Sequence, residues 1–110
     1  MASIIVRGVT ISALGELVSG LGQAFVDALS AGTFSVSQPH TGAVWITAVE
    51  GRWGSYNGQV VSCYYHPSKE HTATTVGKVG TKKSTAGAGH WAISTQTKAL
   101  AGNKALYNTL

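Results

Sequence analysis

Residues 63–76, CYYHPSKEHTATTV, bring a cysteine, two tyrosines, two histidines, a lysine and a glutamate into one short stretch of a 110-residue chain. Cysteine and histidine bind zinc, which takes four converging ligands in structural sites. In an extended strand Cys63 and His66 point to opposite faces, because they lie three residues apart. Pro67 disfavours the helical conformation at His66, so no helical turn brings the two side chains together. The spacing therefore argues against a metal site, and we expect neither a metal nor another cofactor.

The same residues are weak candidates for catalysis. Cys63 with His66, His71 or His90 would supply a thiolate and a base. The nearest carboxylates that could orient the base are Glu50 and Glu70. These two glutamates would also have to be the carboxylate pair of a glycosidase. In lysine-rich surroundings they are better explained as solvated ion pairs. We therefore expect a protein that is not an enzyme, with Cys63 as a structural or incidental thiol.

Charge is distributed unevenly along the chain. Residues 1–49 hold one arginine against two carboxylates, a net charge of −1, whereas residues 50–110 hold seven lysines and arginines against two glutamates, a net charge of +5. A basic half of this kind suggests an anionic partner, such as a phosphate-bearing lipid, an acidic wall polymer or nucleic acid. The alternative is that the charge only keeps the protein soluble.

Aromatic and basic side chains alternate through this basic half. The residues are Trp53, Tyr56, Tyr64, Tyr65, Trp91 and Tyr107 among Arg52, Lys69, Lys98 and Lys104. Aromatic faces stack on sugar rings or bases, while lysine and arginine bind phosphate. The structural alternative is that Trp53 and Trp91, with Tyr107, anchor the core of a small domain.

The first half of the chain predicts a helix or a leader. Apolar residues recur at steps of three and four between residues 11 and 29, which is the helical period. The stretch has the small-residue zone of an export leader at residues 28–31, but Glu16 and Asp27 interrupt its apolar part. A removed leader and an amphipathic helix of the working protein both remain open. No run of 18 apolar residues is present, so we expect no transmembrane helix.

After residue 42 the pattern changes to short strands. Residues 35–42 are interpreted as a polar joint, residues 80–85 as a charged turn, and Asn57-Gly58 as a type I′ hairpin turn. The strand candidates are residues 43–49, 52–56, 59–65, 71–79, 90–97 and 104–109. Short strands at about ten-residue spacing predict an all-β fold, a small antiparallel β-sandwich or barrel.

The second half resembles the lactococcin 972 family of bacteriocins. Four segments carry the resemblance, in the family's order and spacing: EGRWGSYNG (50–58), YYHPSKEHTATTV (64–76), AGHWAIS (88–94) and ALYNT (105–109). The resemblance implies a secreted antibacterial protein with a small antiparallel β-sandwich that forms homodimers. It also implies binding of the wall precursor lipid II, or another anionic precursor, and a block of septum formation. A wall-glycan or surface-binding module without toxicity is the alternative, and nucleic acid is not an expected partner.

This resemblance divides the chain into residues 1–49, a leader-like or helical segment plus linker, and residues 50–110, the sandwich domain. It places candidate processing at Ala48, Val49 and Glu50, so that the active form begins close to Glu50.

The candidate ligand site is the turn between the strand candidates at residues 59–65 and 71–79. Its residues are Tyr64, Tyr65, His66, Lys69 and His71. One tyrosine is expected to face outward by strand alternation, and lysine and histidine to meet phosphate. The alternative is that His66 and His71 only satisfy backbone groups at the turn.

Overall fold

The computed structural model describes residues 4–6, 8–22, 34–39, 42–48, 59–99 and 102–110. Trp53, the Asn57-Gly58 turn, Val49 and Glu50 lie outside these residues. The described elements are β1 (Ile4–Val6), β2 (Val9–Ile11), α1 (Leu14–Leu21), β3 (Ser35–Ser37), β4 (Val44–Ala48), β5 (Gln59–Tyr65), β6 (His71–Gly77), β7 (Gly80–Ala86), β8 (Trp91–Thr97) and β9 (Lys104–Thr109).

The strands form two packed antiparallel sheets and a small hairpin. Sheet I has the order β3-β4-β5-β8, sheet II has the order β7-β6-β9, and β1 pairs with β2. Sheet II packs against one face of sheet I, through contacts of β6, β7 and β9 with β5 and β8. The predicted all-β sandwich with a short N-terminal helix is therefore confirmed. No helix in the described part of the chain is long and apolar enough to span a membrane.

One predicted turn is a strand. Residues 80–85 were expected to form a charged turn, and this prediction is wrong, because they belong to β7. The turn itself is formed by Lys78 and Val79, and Gly80 follows it with a φ of 90° that favours glycine. The threonines of this segment favour the pleated conformation, and its lysines are tolerated because β7 is an edge strand.

The predicted polar joint also contains a strand. The prediction is wrong for Ser35–Ser37, which form β3 and pair with β4. Val36 between them is half-buried against the apolar core, while both serines are exposed. The burial of Val36 adds to the pairing of β3 with β4, which extends over three residues of each strand.

The outer face of sheet I, turned away from sheet II, is apolar and is covered by the N-terminal part of the chain. Its buried side chains are Val44, Ile46, Val61, Cys63 and Trp91. Ile11, Leu17 and Phe34 bury their side chains against them. Full burial of such a side chain contributes about 1.5–3 kcal/mol to stability. We call β2, α1 and Phe34 the covering segment, and their buried side chains are a substantial part of the core.

Helix α1 is built to approach sheet I closely. It realises the predicted helical period over Leu14–Leu21, with Leu17 buried, and it ends at Gly22, where φ is 86°. A Cβ atom at Gly20 would lie 3.0 Å from Ile93 Cδ1. Glycine costs helix stability at this position, about 1 kcal/mol relative to alanine, but it lets the helix backbone pack next to β8.

Polar contacts fix the covering segment to the start of β8. The indole Nε1–H of Trp91 donates to the Ser12 carbonyl oxygen over 2.7 Å. The Trp91 backbone N–H donates to Glu16 Oε1 over 2.8 Å, and His90 Nδ1 lies 2.6 Å from Glu16 Oε2. Partial burial acts to raise the pKa of the Glu16 carboxyl, but the hydrogen bonds from His90 and Trp91 and the charge of His90 outweigh it and lower the pKa below its usual value.

The layer between the two sheets is built largely from small and polar side chains. Ser62 Oγ accepts from the Trp45 indole N–H over 3.0 Å and donates to the Leu106 carbonyl oxygen over 2.8 Å. The hydroxyl oxygens of Thr75 and Ser94 are 2.9 Å apart. Every buried polar side-chain atom of the described residues has a hydrogen-bond partner. The polar layer therefore avoids the cost of unsatisfied buried groups.

We expect Trp91→Ala to lower the free energy of unfolding by about 3–5 kcal/mol, because it empties a large buried site. Trp91→Phe keeps a six-membered ring in the site but removes the donor to the Ser12 carbonyl oxygen and part of the buried volume, at a smaller cost of about 1–3 kcal/mol. Urea unfolding of the three proteins measures both effects. An alanine variant within 1 kcal/mol of wild type would contradict the placement of Trp91 in the core.

We expect Glu16→Gln to cost about 1 kcal/mol at pH 7, because a charge-assisted contact becomes a neutral one. A carboxyl group whose pKa is lowered in the folded protein stabilises the fold at pH values above its unfolded pKa of about 4.3. This contribution is lost as the pH falls through the pKa of the folded state. The difference between wild type and variant should therefore be constant above the unfolded pKa, and it should shrink and then vanish as the pH falls through the lowered folded pKa. Urea unfolding at several pH values checks this, and a difference independent of pH would contradict it.

Candidate functional site

The turn after β5 is organised by a histidine ring. His66 is buried, and its Nδ1 accepts from the backbone N–H groups of Ser68 and Lys69 over 3.2 and 3.1 Å. A ring nitrogen that accepts two backbone hydrogens carries no proton itself. His66 therefore shapes the turn, as in the structural alternative derived from the sequence.

His71 is also tied to the backbone. Its side chain is fully buried, with Nδ1 2.8 Å from the Lys69 carbonyl oxygen and Nε2 2.7 Å from the His90 carbonyl oxygen. The ring meets the edge of Tyr64 at right angles, with 5.4 Å between centroids. Both ring nitrogens have backbone partners, so His71 joins β6 to the loop before β8 and does not present a nitrogen to solvent.

The two tyrosines point to opposite faces of β5, as alternation predicts, but neither projects into solvent. Tyr64 is fully buried between the sheets, and its hydroxyl lies 2.7 Å from Thr109 Oγ1. Tyr65 is half-buried on the other face, with its ring 5.3 Å from that of Trp91. The prediction that one of the two tyrosines faces outward to a ligand is therefore wrong, because sheet I is covered on both faces. Of the five candidate ligand residues, Lys69 is the exposed one.

Two further aromatic candidates, Trp91 and Tyr107, are structural. Trp91 lies in the core, and Tyr107 packs against Trp45 and Tyr64 with centroid distances of 4.6 and 4.7 Å. Trp45 was not singled out by the sequence pattern, although its place in a β-branched run between residues 43 and 49 is a usable signal.

Cys63 lies on the apolar face of sheet I, opposite Tyr64. It is fully buried, and burial raises the pKa of its thiol well above the usual range. A thiol in this environment stays protonated and makes a poor nucleophile. The described residues contain no group of three or more histidine, cysteine or acidic side chains arranged to hold a metal ion.

The sandwich gathers lysines at one end that are far apart in the sequence. The turn after β6, the starts of β7 and β9 and the residue after β8 meet there, because Val76 pairs with Thr81 and Lys104, and the Lys78 N–H donates to the Thr97 carbonyl oxygen. We call this the lysine end; its cations are Lys78, Lys82, Lys98 and Lys104, together with Lys83, which pairs with Thr74 halfway along β6. Lys98 is half-buried and the other four are exposed.

Comparison with known proteins gives one match. The model of a family described as bacteriocin (lactococcin 972) matches residues 50–107. This chain belongs to the lactococcin 972 family of bacteriocins. No curated protein and no solved structure matches it.

The lactococcin 972 match spans β5 to β8 and most of β9, and so includes all of the lysine end and the turn at residues 66–71. It begins after β4, so the covering segment and the first two strands of sheet I lie outside it. In this bacteriocin, the matched part and the part before it share one hydrophobic core.

Proposed function

We propose that this chain is a secreted bacteriocin that binds the wall precursor lipid II and blocks septum formation in related Gram-positive bacteria, acting as a homodimer. The observation that carries the proposal is the family match over residues 50–107. Lipid II offers a pyrophosphate and amino sugars to a receptor outside the membrane. Exposed lysines suit the pyrophosphate, because charge-assisted hydrogen bonds to phosphate are among the strongest that a surface side chain makes.

The proposed mode of action is binding without catalysis. Cys63, the candidate nucleophile, is enclosed in apolar surroundings, and Cys63→Ser is expected to keep its activity. A bound precursor would be withheld from the enzymes that build the septum, which requires affinity and access to the membrane surface and no chemical step.

We expect the purified protein to inhibit growth of related Gram-positive cells and to produce septal defects without membrane leakage. Added lipid II should relieve the inhibition, because it competes for the protein. Growth curves, microscopy and release of a cytoplasmic dye measure the three effects. Binding to wall glycan with no inhibition at any dose would contradict the proposal and support the non-toxic binding module.

The proposed working form keeps residues 9–48. Cleavage near Ala48, Val49 and Glu50 would remove β4, which pairs with β5 along its whole length, together with the segment that covers Val61, Cys63 and Trp91. An uncovered apolar face of this size favours association or unfolding.

The intact mass of the secreted protein tests retention, and we expect a mass that includes residues 9–48. A mass that begins near Glu50 would contradict retention. The apolar face of sheet I would then need another cover, for which a second copy of the chain in the proposed homodimer is the first candidate.

A further inference from the structure

Most charges of the described residues are separated along the length of the sandwich, and Lys69, next to Glu70, is the one described lysine at the carboxylate end. The five lysines of the lysine end have no ion-pair partner among these residues, whose one salt bridge joins Glu16 to His90. Glu16 binds the start of β8, and Glu70 precedes β6, so both described carboxylates lie at the opposite end. The seven residues of β6 separate the two ends by about 20 Å. This exceeds two Debye lengths at physiological salt, about 8 Å each, so the carboxylates do little to neutralise the lysines at the far end. Lys83 pairs with Thr74 halfway along β6 and lies about 10 Å from each end of the strand.

Two of these lysines lie on the open face of sheet II. Lys83 pairs with Thr74 and Lys104 pairs with Val76, on the two sides of β6. The alternate residues of β6 point toward sheet I, as the Thr75–Ser94 contact demonstrates. Lys83 and Lys104 therefore share the outer face, with Cα atoms about 12 Å apart. Two long side chains at this separation can converge on one compact anion.

The tip of the β6–β7 hairpin is held in place from inside the sandwich. Gln96 is almost fully buried; its Oε1 accepts from the Val79 N–H over 2.9 Å, and its Nε2–H donates to the Gly80 carbonyl oxygen over 2.8 Å. A Cβ atom at Gly77 would lie 2.8 Å from the Thr97 carbonyl oxygen, so the glycine lets the hairpin close onto β8. The backbone next to Lys78 is thus ordered before any ligand arrives, which lowers the entropic cost of binding.

The tip also carries an exposed apolar side chain. Val79 is 70% exposed and lies between Lys78 and the lysines of β7. An apolar residue flanked by cations suits the boundary of a membrane, where the side chain meets acyl chains and the lysines meet phosphate groups. A ligand anchored in a membrane satisfies both features, whereas a free phosphate satisfies only the cations.

We propose that the lysine end, rather than the turn at residues 66–71, binds the pyrophosphate of the membrane-anchored precursor, with Lys78, Lys83 and Lys104 as its main contacts. This inference rests on the proposed function. Lys82 is less available, because its Nζ donates to the Thr95 carbonyl oxygen over 3.2 Å. Val79 then faces the membrane, and the contact between Glu16 and the start of β8 lies at the end that faces away from it.

Single substitutions that remove the same charge from the two ends test the assignment. Lys78→Ala and Lys83→Ala act at the lysine end, and Lys69→Ala is the matched control at the other; all three side chains are exposed. Binding is measured to neutral phosphatidylcholine vesicles that contain lipid II, and to vesicles that contain phosphatidylglycerol in its place. Thermal unfolding verifies that each variant is folded.

We expect Lys78→Ala and Lys83→Ala each to weaken binding to lipid II vesicles about fivefold to tenfold. The Lys78→Ala, Lys83→Ala, Lys104→Ala triple variant should weaken it at least a hundredfold, and Lys69→Ala less than twofold. Wild type should bind lipid II vesicles more tightly than phosphatidylglycerol vesicles, because a pyrophosphate concentrates charge that a diester spreads out.

Two results would overturn the assignment and leave the proposed function standing: lipid II binding that is lost with Lys69→Ala, or lipid II binding that is unchanged in the triple variant. Equal binding to both kinds of vesicle would make the lysine end a general contact for anionic lipid and overturn its role in recognising pyrophosphate. Wild type that binds neither would contradict the proposed function itself, and the assignment with it.

Discussion

Strand β5 is buried on both of its faces, and the two layers of the fold pack against its alternate side chains. Val61 and Cys63 lie in the apolar core beneath the N-terminal segment, whereas Ser62 and Tyr64 lie in the polar layer against sheet II. A shift of one residue in the register of β5 would place hydroxyl groups in the apolar core and apolar groups among hydrogen-bonding partners. This two-sided burial fixes the pairing of β5 with β4 and β8, and thereby the position of everything attached to those strands.

The functional consequences follow from that register. Tyr64 and His71 are required inside, where they link the sheets, and so they are not available to a ligand. The same antiparallel pairing brings the turn after β6 and the starts of β7 and β9 to one end, where the lysines collect. Gln96 connects the interior of the sandwich with the lysine end, because it belongs to β8 in sheet I and holds the tip of the β6–β7 hairpin in sheet II. Packing therefore determines which charged residues remain on the surface and how closely they approach one another.

Much of the fold could be predicted from the sequence. The alternating patterns of β5, β6, β8 and β9 and the helical period of α1 are local signals, and the structure has these elements where they were expected. The burial of both faces of sheet I could not be read locally, because it depends on distant residues such as Leu17 and Phe34. Strand β7 was missed because two adjacent lysines resemble a turn, although an edge strand accommodates them. The lysine end was missed because its members are up to 26 positions apart in the sequence and meet only through strand pairing.

The N-terminal segment covers the apolar face of sheet I as part of the folded protein. Cys63 is the only cysteine and lies beneath this cover, so its reaction with a thiol reagent such as DTNB reports directly on the cover. In the whole chain under native conditions, we expect the Cys63 thiol to react no faster than the protein unfolds. In Leu17→Asp, which places a charge in the same core, labelling should be fast. Rapid, stoichiometric labelling of the native whole chain would contradict the burial of Cys63 beneath the N-terminal segment.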